Sequence, residues 1–334
     1  VALTKNVSTE SSNPKTFRIL DKKTVIKEMG AGINLGNTMD GGLYDSSETG
    51  WQAYKTTKDY IKALHDAGYN TVRIPVTWGS HINDDYTIDE AWINRVQEIV
   101  DYCVDQDMYA IVNIHHDGAA NHDDRGNNTP ACWLDTYSQN IEKVYQKYEG
   151  VWNTIANRFK DYDEHVIFES MNEVTDAHGT ATNEDDAVLN ALNQLFINTV
   201  RATGSNNTKR WLAITGRFAT TAAITTMPED TLADSGDLGT TRLMFAVHIY
   251  KSNNNVRWSY DDLKQWQSSM SSSYKNVGNL DSNMPIYVGE YGVRTKAQNG
   301  SATGYNNAER ALNYEMCAAI ADFYNAVPVV WDQG

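Results

Sequence analysis

Two glutamates that lie far apart in the chain each end a short apolar run. Glu173 closes the segment Val166-Ile-Phe-Glu-Ser-Met-Asn-Glu173, and Glu290 closes Pro285-Ile-Tyr-Val-Gly-Glu290. Such runs are typical of buried parallel strands, whose carboxyl ends in an α/β barrel open into one shared mouth. We therefore interpret Glu173 and Glu290 as a pair of catalytic carboxylates rather than as solvated loop charges.

Two carboxyl groups, one protonated and one ionised, are suited to cleaving a glycosidic bond. At a separation of about 5 to 5.5 Å, one protonates the departing oxygen while the other attacks the anomeric carbon, and the anomeric configuration is retained. Mutual repulsion and partial burial are expected to raise the pKa of whichever carboxyl is the acid. Glu173 and Glu290 fit these two roles.

Polar residues also stand at the ends of most other apolar runs. Taken singly, a buried arginine is often half of a structural ion pair, and a barrel histidine is often a satisfied core residue. Together they would be costly to bury unless they line a wet cavity, so their convergence predicts a functional site. These residues are Asn34, Asn37, Arg73, His115, His116, Asn172, His248, Tyr250 and Trp331.

Eight apolar runs must position these residues. Their average spacing of about 40 residues is that of a strand, a helix and a loop. They span residues 32–36, 71–74, 110–115, 166–169, 211–214, 243–248, 286–290 and 328–331. The clearest helical pattern between runs, with apolar residues three and four apart, consists of Trp92, Ile93, Val96, Ile99, Val100 and Cys103. Further helices are expected at 141–160, 187–202 and 308–325.

Strands that alternate with amphipathic helices require a parallel sheet with right-handed crossovers, and eight such units close into a (β/α)8 barrel. We therefore predict the α/β class and a single TIM barrel over residues 30–334. Residues 1–29 are expected to be an N-terminal extension, in which residues 14–29 form an entry strand and helix that cap the barrel bottom. The sequence stops directly after the eighth run, so the helix expected to cover strands seven and eight is missing from it.

The composition excludes several classes of protein. With 334 residues, 41% hydrophobic and 21% charged, the chain can bury a large core in one domain. The net charge of -15 and the absence of a basic run argue against a nucleic-acid or anionic-membrane partner. The three cysteines are too scattered for a disulfide framework or a zinc site. A neutral substrate and a monomer are expected.

The sequence also bears on localisation. No apolar stretch approaches the length of about 18 residues that a membrane span needs, and the first residues lack the pattern of a signal peptide. Glycosylation sequons are compatible with a secreted origin, which we expect for this protein. They begin at Asn6, Asn127, Asn206 and Asn299.

The motifs at the strand ends, taken as a set, resemble glycoside hydrolase family 5, the endoglucanase-type cellulases. The resemblance runs in family order from about residue 30 to the end of the chain. It is carried by Gly32-Ile-Asn-Leu-Gly-Asn-Thr38, Thr71-Val-Arg-Ile-Pro-Val-Thr-Trp78, Val112-Asn-Ile-His-His-Asp117, Phe168-Glu-Ser-Met-Asn-Glu173, Val247-His-Ile-Tyr250, Val288-Gly-Glu-Tyr-Gly292 and Val330-Trp-Asp332.

The resemblance implies roles for individual residues. It makes Glu173 the acid/base and Glu290 the nucleophile, with Arg73 steadying the charge of the nucleophile. Asn172, which precedes the acid, would hydrogen-bond the sugar 2-hydroxyl. Tyr250, in the His-x-Tyr motif of strand six, would donate a hydrogen bond to the nucleophile and lower its pKa.

Aromatic residues would supply a platform for the sugar. Trp331 matches the family's sugar-stacking tryptophan, and an aromatic face suits a neutral pyranose. Four more tryptophans either extend this platform or pack the loops; they are Trp51, Trp78, Trp133 and Trp258.

The sequence departs from the family pattern at two places, and these departures affect the residue roles that the resemblance implies. Asn172-Glu173-Val174 stands where the family often has Asn-Glu-Pro, which changes only the turn after the acid. Neighbours in a strand point to opposite sides, so we expect one of His115 and His116 to face the substrate and the other to pack behind it.

Two other classes of function compete with this one. A metal-dependent hydrolase could use His115, His116, Asp117 and His122, but adjacent histidines on one strand do not readily converge on one ion. A non-catalytic glycan-binding barrel would normally have lost one of the two carboxylates. We predict a retaining endo-β-1,4-glucanase without cofactor or metal, and lichenan, xyloglucan, xylan and mannan remain as alternative substrates.

Overall fold

Eight short parallel strands close into a barrel in the order of the sequence, so that the last strand pairs with the first. The computed structural model describes residues 16–42, 47–118, 132–136, 140–174, 183–221, 224, 227–231, 233, 241–250, 260–280, 284–292 and 307–331. The strands are β1 Gly32–Asn34, β2 Thr71–Ile74, β3 Tyr109–Asn113, β4 Val166–Glu169, β5 Leu212–Ile214, β6 Leu243–Ile249, β7 Ile286–Tyr291 and β8 Ala326–Val330. Each corresponds to one predicted apolar run, and the (β/α)8 barrel is confirmed.

Helices cover the outside of the barrel. Those of the described residues are α1 Lys22–Met29, α2 Lys58–Asp66, α3 Glu90–Val104, α4 Ile141–Phe159, α5 Asn183–Ala202, α6 Tyr260–Leu280 and α7 Asn307–Phe323. Helix α3 begins where the Asp89 carboxylate accepts a hydrogen bond from the Trp92 amide, as an N-cap residue does. The apolar residues that predicted α3 are buried, so this helix is confirmed. None of the described helices is long and apolar enough to cross a membrane.

The amino-terminal end of the barrel rests on the segment that precedes β1. Val25 and Met29 of α1 belong to one buried cluster with inward-facing strand residues such as Tyr109 and Met244. Residues 16–21 form no strand, so the expected entry strand is wrong for this part of the segment. The physical reason is that the Arg18 amide donates to the Glu164 carboxylate at 2.8 Å instead of to a neighbouring strand.

Helices α1 and α7 both contact β8. Through residue 331, where the described part of the chain ends, no helix follows β8. A groove between α1, α6 and α7 lies there, and it is lined in part by Ile26, Tyr274, Met284, Ala318 and Pro328.

The regular ladder of the barrel is interrupted on both sides of β7. The register of the β6–β7 pair shifts between Val247 and His248 of β6. The register of the β7–β8 pair shifts between Val288 and Tyr291 of β7. A Cβ atom on Gly289, inside this irregular stretch, would lie 3.1 Å from His248 Nε2. The Gly289 carbonyl accepts a hydrogen bond from the Asn34 side chain of β1 at 2.8 Å, and Asn34 also donates to the Val330 carbonyl at 3.1 Å.

Candidate active site

Arg73 lies at the centre of the site, in the third position of β2, and its side chain is fully buried. All five N–H bonds of the guanidinium have acceptors. Nε and Nη2 donate to the two oxygens of Glu169 at 2.8 and 3.0 Å, and Nη2 also donates to Asn172 Oδ1 at 2.8 Å. Nη1 donates to Asn34 Oδ1 at 2.9 Å and to Glu290 Oε1 at 2.8 Å. Burial lowers the pKa of Arg73, but the charges of Glu169 and Glu290 outweigh it and hold that pKa well above its usual value.

Glu290, near the end of β7, is held by two donors. Its Oε1 accepts from Arg73, and its Oε2 accepts from the Tyr250 hydroxyl at 2.9 Å. Burial, followed by the negative charge of Glu290, raises the pKa of Tyr250, so the phenol keeps its proton and donates it. The side chain of Glu290 is 8% exposed.

Glu173 lies four residues beyond the end of β4 and is 41% exposed at its side chain. His248 Nδ1 lies 2.7 Å from Glu173 Oε1 and 3.6 Å from Glu290 Oε2. One carboxylate oxygen of each glutamate and one ring nitrogen of His248 lie within 4.8 Å of one another. The structure therefore brings the two predicted catalytic carboxyl groups together at a separation near that of retaining glycosidases.

The acidity of Glu173 differs from the sequence expectation of a raised pKa. Burial raises the pKa of Glu173, but the hydrogen bond from His248 and the positive charges of His248 and Arg73 lower it below its ordinary value. The expectation was wrong because it considered repulsion between the two glutamates and omitted the histidine that lies between them. In this conformation Glu173 is ionised at neutral pH.

The two adjacent histidines also differ from expectation. Strand β3 ends at Asn113, so His115 and His116 lie beyond the alternation of the strand. Both rings face the same atom: Asp40 Oδ2 lies 3.9 Å from His115 Nε2 and 3.5 Å from His116 Nε2. The prediction that they point to opposite sides is therefore wrong.

The tautomer of His115 decides what the group formed by Asp40, His115 and His116 can bind. Burial, followed by the charges of His116 and Arg73, lowers the pKa of His115 well below its usual value, so its ring is neutral. Asn113 Oδ1 accepts from the Val76 amide, and its Nδ2 therefore donates to His115 Nδ1 at 3.2 Å. The remaining proton of His115 is then on Nε2, facing Asp40.

The spacing of Asp40, His115 and His116 would admit a metal ion, because one donor atom from each lies within 4.8 Å of the others. However, a protonated Nε2 of His115 is no metal ligand. The carboxylate oxygen Asp40 Oδ2 is buried and has no hydrogen-bond partner among the described residues. An acceptor beside an N–H donor suits a sugar hydroxyl, which both donates and accepts.

The metal-ligand set considered from the sequence is not assembled in the described part of the chain. Asp117 accepts hydrogen bonds from the Trp78 amide at 3.0 Å and from Trp133 Nε1 at 2.6 Å. Burial raises the pKa of Asp117 to about 6. His122 lies outside the described residues.

The predicted aromatic platform is present only in part. The Trp331 ring, directly after β8, lies parallel to the His115 ring at 5.7 Å between centroids, and the half-exposed Trp51 meets the edge of His116 at 5.3 Å. Trp78 is fully buried, so of its two interpretations the structure favours packing over a place in the platform. Trp133 packs with Lys147 over its ring at 4.8 Å. Trp258 lies outside the described residues.

The structure adds Glu169 and Asp40 to the site residues predicted from the sequence. It also shows where the predicted residue Asn37 lies. Glu169 and Asp40 are fully buried and contact predicted site residues. The only sequence signal for Glu169 was a charge inside the apolar run of β4. Asn37 lies in the turn after β1 with a φ of 59°, a conformation that asparagine tolerates.

Comparisons with known proteins agree with this geometry. The model of the cellulase family, glycosyl hydrolase family 5, matches residues 26–334. Endoglucanase A of Paenibacillus barcinonensis is 33% identical over 348 residues, which cover 95% of this chain and 84% of that protein. A family 5 xyloglucanase from Paenibacillus pabuli, solved in complex with ligand, superposes with a TM-score of 0.81 at 33% identity, covering 93% of this chain and 91% of that one. A broad-specificity endoglucanase from Ruminococcus champanellensis with bound cellotriose gives a TM-score of 0.80 at 32% identity, covering 96% and 91%.

Proposed function

This chain belongs to glycosyl hydrolase family 5, and from that premise we propose that it is a retaining endoglucanase that cleaves β-1,4-glucan with Glu173 and Glu290. One observation carries the proposal. One oxygen of each carboxylate lies within 4.8 Å of one oxygen of the other, yet the two carboxylates have different partners. Glu290 is fixed by Arg73 and Tyr250, whereas the more exposed Glu173 contacts only His248 among the hydrogen bonds of the described residues.

In the first step Glu290 acts as the nucleophile. Its oxygen forms a bond to the anomeric carbon while the glycosidic bond breaks, and Glu173 gives its proton to the departing oxygen. The hydrogen bonds from Arg73 and Tyr250 hold the Glu290 carboxylate in a fixed orientation. A covalent glycosyl-enzyme results.

Before that step Glu173 must acquire a proton. Its hydrogen bond with His248 favours the ionised form, as the lowered pKa of Glu173 indicates. We therefore expect a bound sugar to separate Glu173 from His248, which removes this stabilisation and raises the pKa of the acid. Substrate binding and activation of the acid would then be coupled.

In the second step the roles reverse. Glu173, now ionised, takes a proton from water, and the water oxygen forms a bond to the anomeric carbon as the bond to Glu290 breaks. The Tyr250 hydroxyl, 2.9 Å from Glu290 Oε2, stabilises the departing carboxylate. Two displacements at the same carbon restore the original configuration.

A neutral glycan suits the surroundings of the two glutamates. Asp40 Oδ2 and His115 Nε2 offer an acceptor and a donor for hydroxyl groups, and Trp331 offers a ring face beside them. Xyloglucan is the second candidate substrate, because a xyloglucanase is among the similar structures. We also propose that the protein is secreted, because a polysaccharide does not enter cells; activity in the culture medium rather than in the cell lysate would support this.

Glu290→Gln tests the mechanism. No covalent intermediate can form in this variant, so turnover should fall by at least about three orders of magnitude while glycan binding is kept. Reducing ends are measured on a panel of soluble β-glucans, xyloglucan, xylan and mannan, with binding measured calorimetrically. Glu164→Gln, which alters a buried glutamate paired with Arg18 at the other end of the barrel, is the control and should keep its turnover. Equal turnover by wild type and Glu290→Gln would contradict the proposal, and a wild type without turnover on any glycan would favour a glycan-binding protein.

A further inference from the structure

One positive charge lies between two carboxylates in the interior of the site. The side chains of Arg73 and Glu169 are fully buried, and that of Glu290 is 8% exposed. Arg73 donates to both glutamates at 2.8 Å. Because water is largely excluded, the negative charge of each carboxylate offsets part of the stabilisation that Arg73 gives to the other.

The two glutamates do not share Arg73 equally. Glu169 takes two of its five N–H bonds in a bidentate arrangement, which is the geometry that best fixes a guanidinium. Glu290 takes one. The orientation of Arg73 is therefore set mainly by Glu169, which does not reach the sugar-binding space.

The other groups around these two carboxylates are identifiable. Asn113 and Ala213, the strand neighbours of Glu169 on β3 and β5, are uncharged. Tyr287 of β7 also interacts with Glu169, and burial followed by the charge of Glu169 raises the pKa of Tyr287, so it is neutral. Glu290 is faced by Arg73, by the Tyr250 hydroxyl, and by His248, which in turn contacts Glu173.

We propose that Glu169 is a positioning residue that orients Arg73 and limits how strongly Arg73 stabilises the charge of Glu290. A carboxylate that is stabilised too strongly is a weak nucleophile, although it is a good leaving group. Glu169 thus sets the balance between the two steps of the mechanism. This inference rests on the proposed role of Glu290.

Glu169→Gln removes the competing charge while keeping the size of the side chain. Arg73 then stabilises the charge of Glu290 without competition, so the carboxylate attacks more slowly. We expect kcat/KM for an aryl β-cellobioside to fall at least about tenfold and its acid limb to move about one unit toward lower pH. Glu169→Asp keeps the charge but moves it away from Arg73, so its acid limb should lie between those of the wild type and the Gln variant.

Asp230→Asn is the matched control. Asp230 forms a bidentate pair with Arg201 in which both side chains are fully buried, as in the pair of Glu169 with Arg73. It should lower the melting temperature without moving the acid limb, because neither Arg201 nor Asp230 contacts the two catalytic glutamates in the described structure. A stability effect alone would therefore be separated from an effect on Glu290.

The outcomes are distinct. An unmoved acid limb in Glu169→Gln, or an equal movement in Asp230→Asn, would overturn the inference. Should Glu169→Gln fail to fold, the Asp variant decides, because an acid limb at or above that of the wild type contradicts the proposed role. Failure of the proposed function itself would be recognised separately, since Glu290→Gln would then keep the turnover of the wild type.

Discussion

The two ends of the barrel contain the same three types of residue with different partners and different burial. Each end has a buried arginine, a tryptophan, and a tyrosine that donates to a glutamate. At the amino-terminal end these are Arg210, Trp211 and Tyr109, and at the carboxyl-terminal end they are Arg73, Trp331 and Tyr250. Near the carboxyl-terminal set, three buried atoms have no hydrogen-bond partner within the part of the chain that the structure describes: Asp40 Oδ2, His116 Nδ1 and His248 Nε2. Such atoms are rare in folded proteins unless a site requires them.

The hydrogen-bond acceptors of Arg210 and Arg73 illustrate the difference between the two ends of the barrel. Arg210 donates to four backbone carbonyls, of Phe159, Tyr162, Asp163 and Val166. Burial without a bonded carboxylate lowers the pKa of Arg210 to about 9. Arg73 donates only to side chains, and its two carboxylates hold its pKa high. An arginine that binds carbonyls fixes the backbone, whereas one that binds side chains fixes a set of functional groups.

The largest effect is expected from replacing each arginine by lysine, because lysine cannot make the same fixed set of five hydrogen bonds. Arg73→Lys should lower kcat by about two to three orders of magnitude, since Glu290 loses its orientation. Arg210→Lys should lower the free energy of unfolding by about 3 kcal/mol and leave kcat per folded molecule unchanged. Steady-state kinetics and denaturant titration of both variants check this. The comparison fails if Arg210→Lys loses as much kcat as Arg73→Lys.

The tryptophans should give a second contrasting pair, in which the effect on activity is smaller than that of the arginines. Trp331→Ala should raise KM about tenfold, because a ring face for the sugar is lost, and should change stability little. Trp211 is 4% exposed and its Nε1 donates to the Leu20 carbonyl at 3.3 Å. Trp211→Ala should therefore lower the free energy of unfolding by about 3 to 5 kcal/mol and leave KM unchanged. An unchanged KM in Trp331→Ala would remove this residue from the sugar-binding site.

The smallest effects are expected from the tyrosines. Tyr250→Phe removes a donor to Glu290, so the ionised nucleophile loses stabilisation and the acid limb of kcat/KM should move about half a unit toward higher pH. Tyr109 donates to the partly exposed Glu28 at 2.8 Å, so Tyr109→Phe should cost about 1 kcal/mol of stability and leave the pH profile in place. The pH profiles of both variants, measured in parallel, test the contrast. Movement toward lower pH in Tyr250→Phe would contradict the assigned hydrogen bond.

Much of this architecture could be predicted from the sequence, because strands buried on both faces are apolar throughout and end at polar residues. This pattern located the strands of Glu173 and Glu290. It could not show that Glu169 shares Arg73 with Glu290, because that contact joins residues 96 positions apart in the chain. A charge within a buried run is nevertheless a usable signal.

Other details depended on contacts that no local pattern encodes. The orientation of His115 and His116 depends on whether β3 ends before them, and one or two residues decide it. The burial of Trp78 depends on the Asn113 carbonyl, which accepts its Nε1–H at 2.9 Å. The lowered pKa of Glu173 depends on a histidine 75 residues away. Each is a tertiary contact between separate βα units.

The position of Asn34 has a consequence for how the molecule acquires activity during synthesis or refolding. Asn34, in the first strand, donates to the backbone of the seventh strand beside Glu290 and to that of the last strand. A half-barrel made of β1–β4 would contain Arg73 and Glu169, and Glu173 directly after it, but not Glu290, the proposed nucleophile. Only ring closure brings the two ends of the polypeptide together beneath Glu290. Enzymatic turnover therefore requires the closed barrel. In a refolding experiment, the recovery of turnover measures barrel closure rather than the early collapse of the chain.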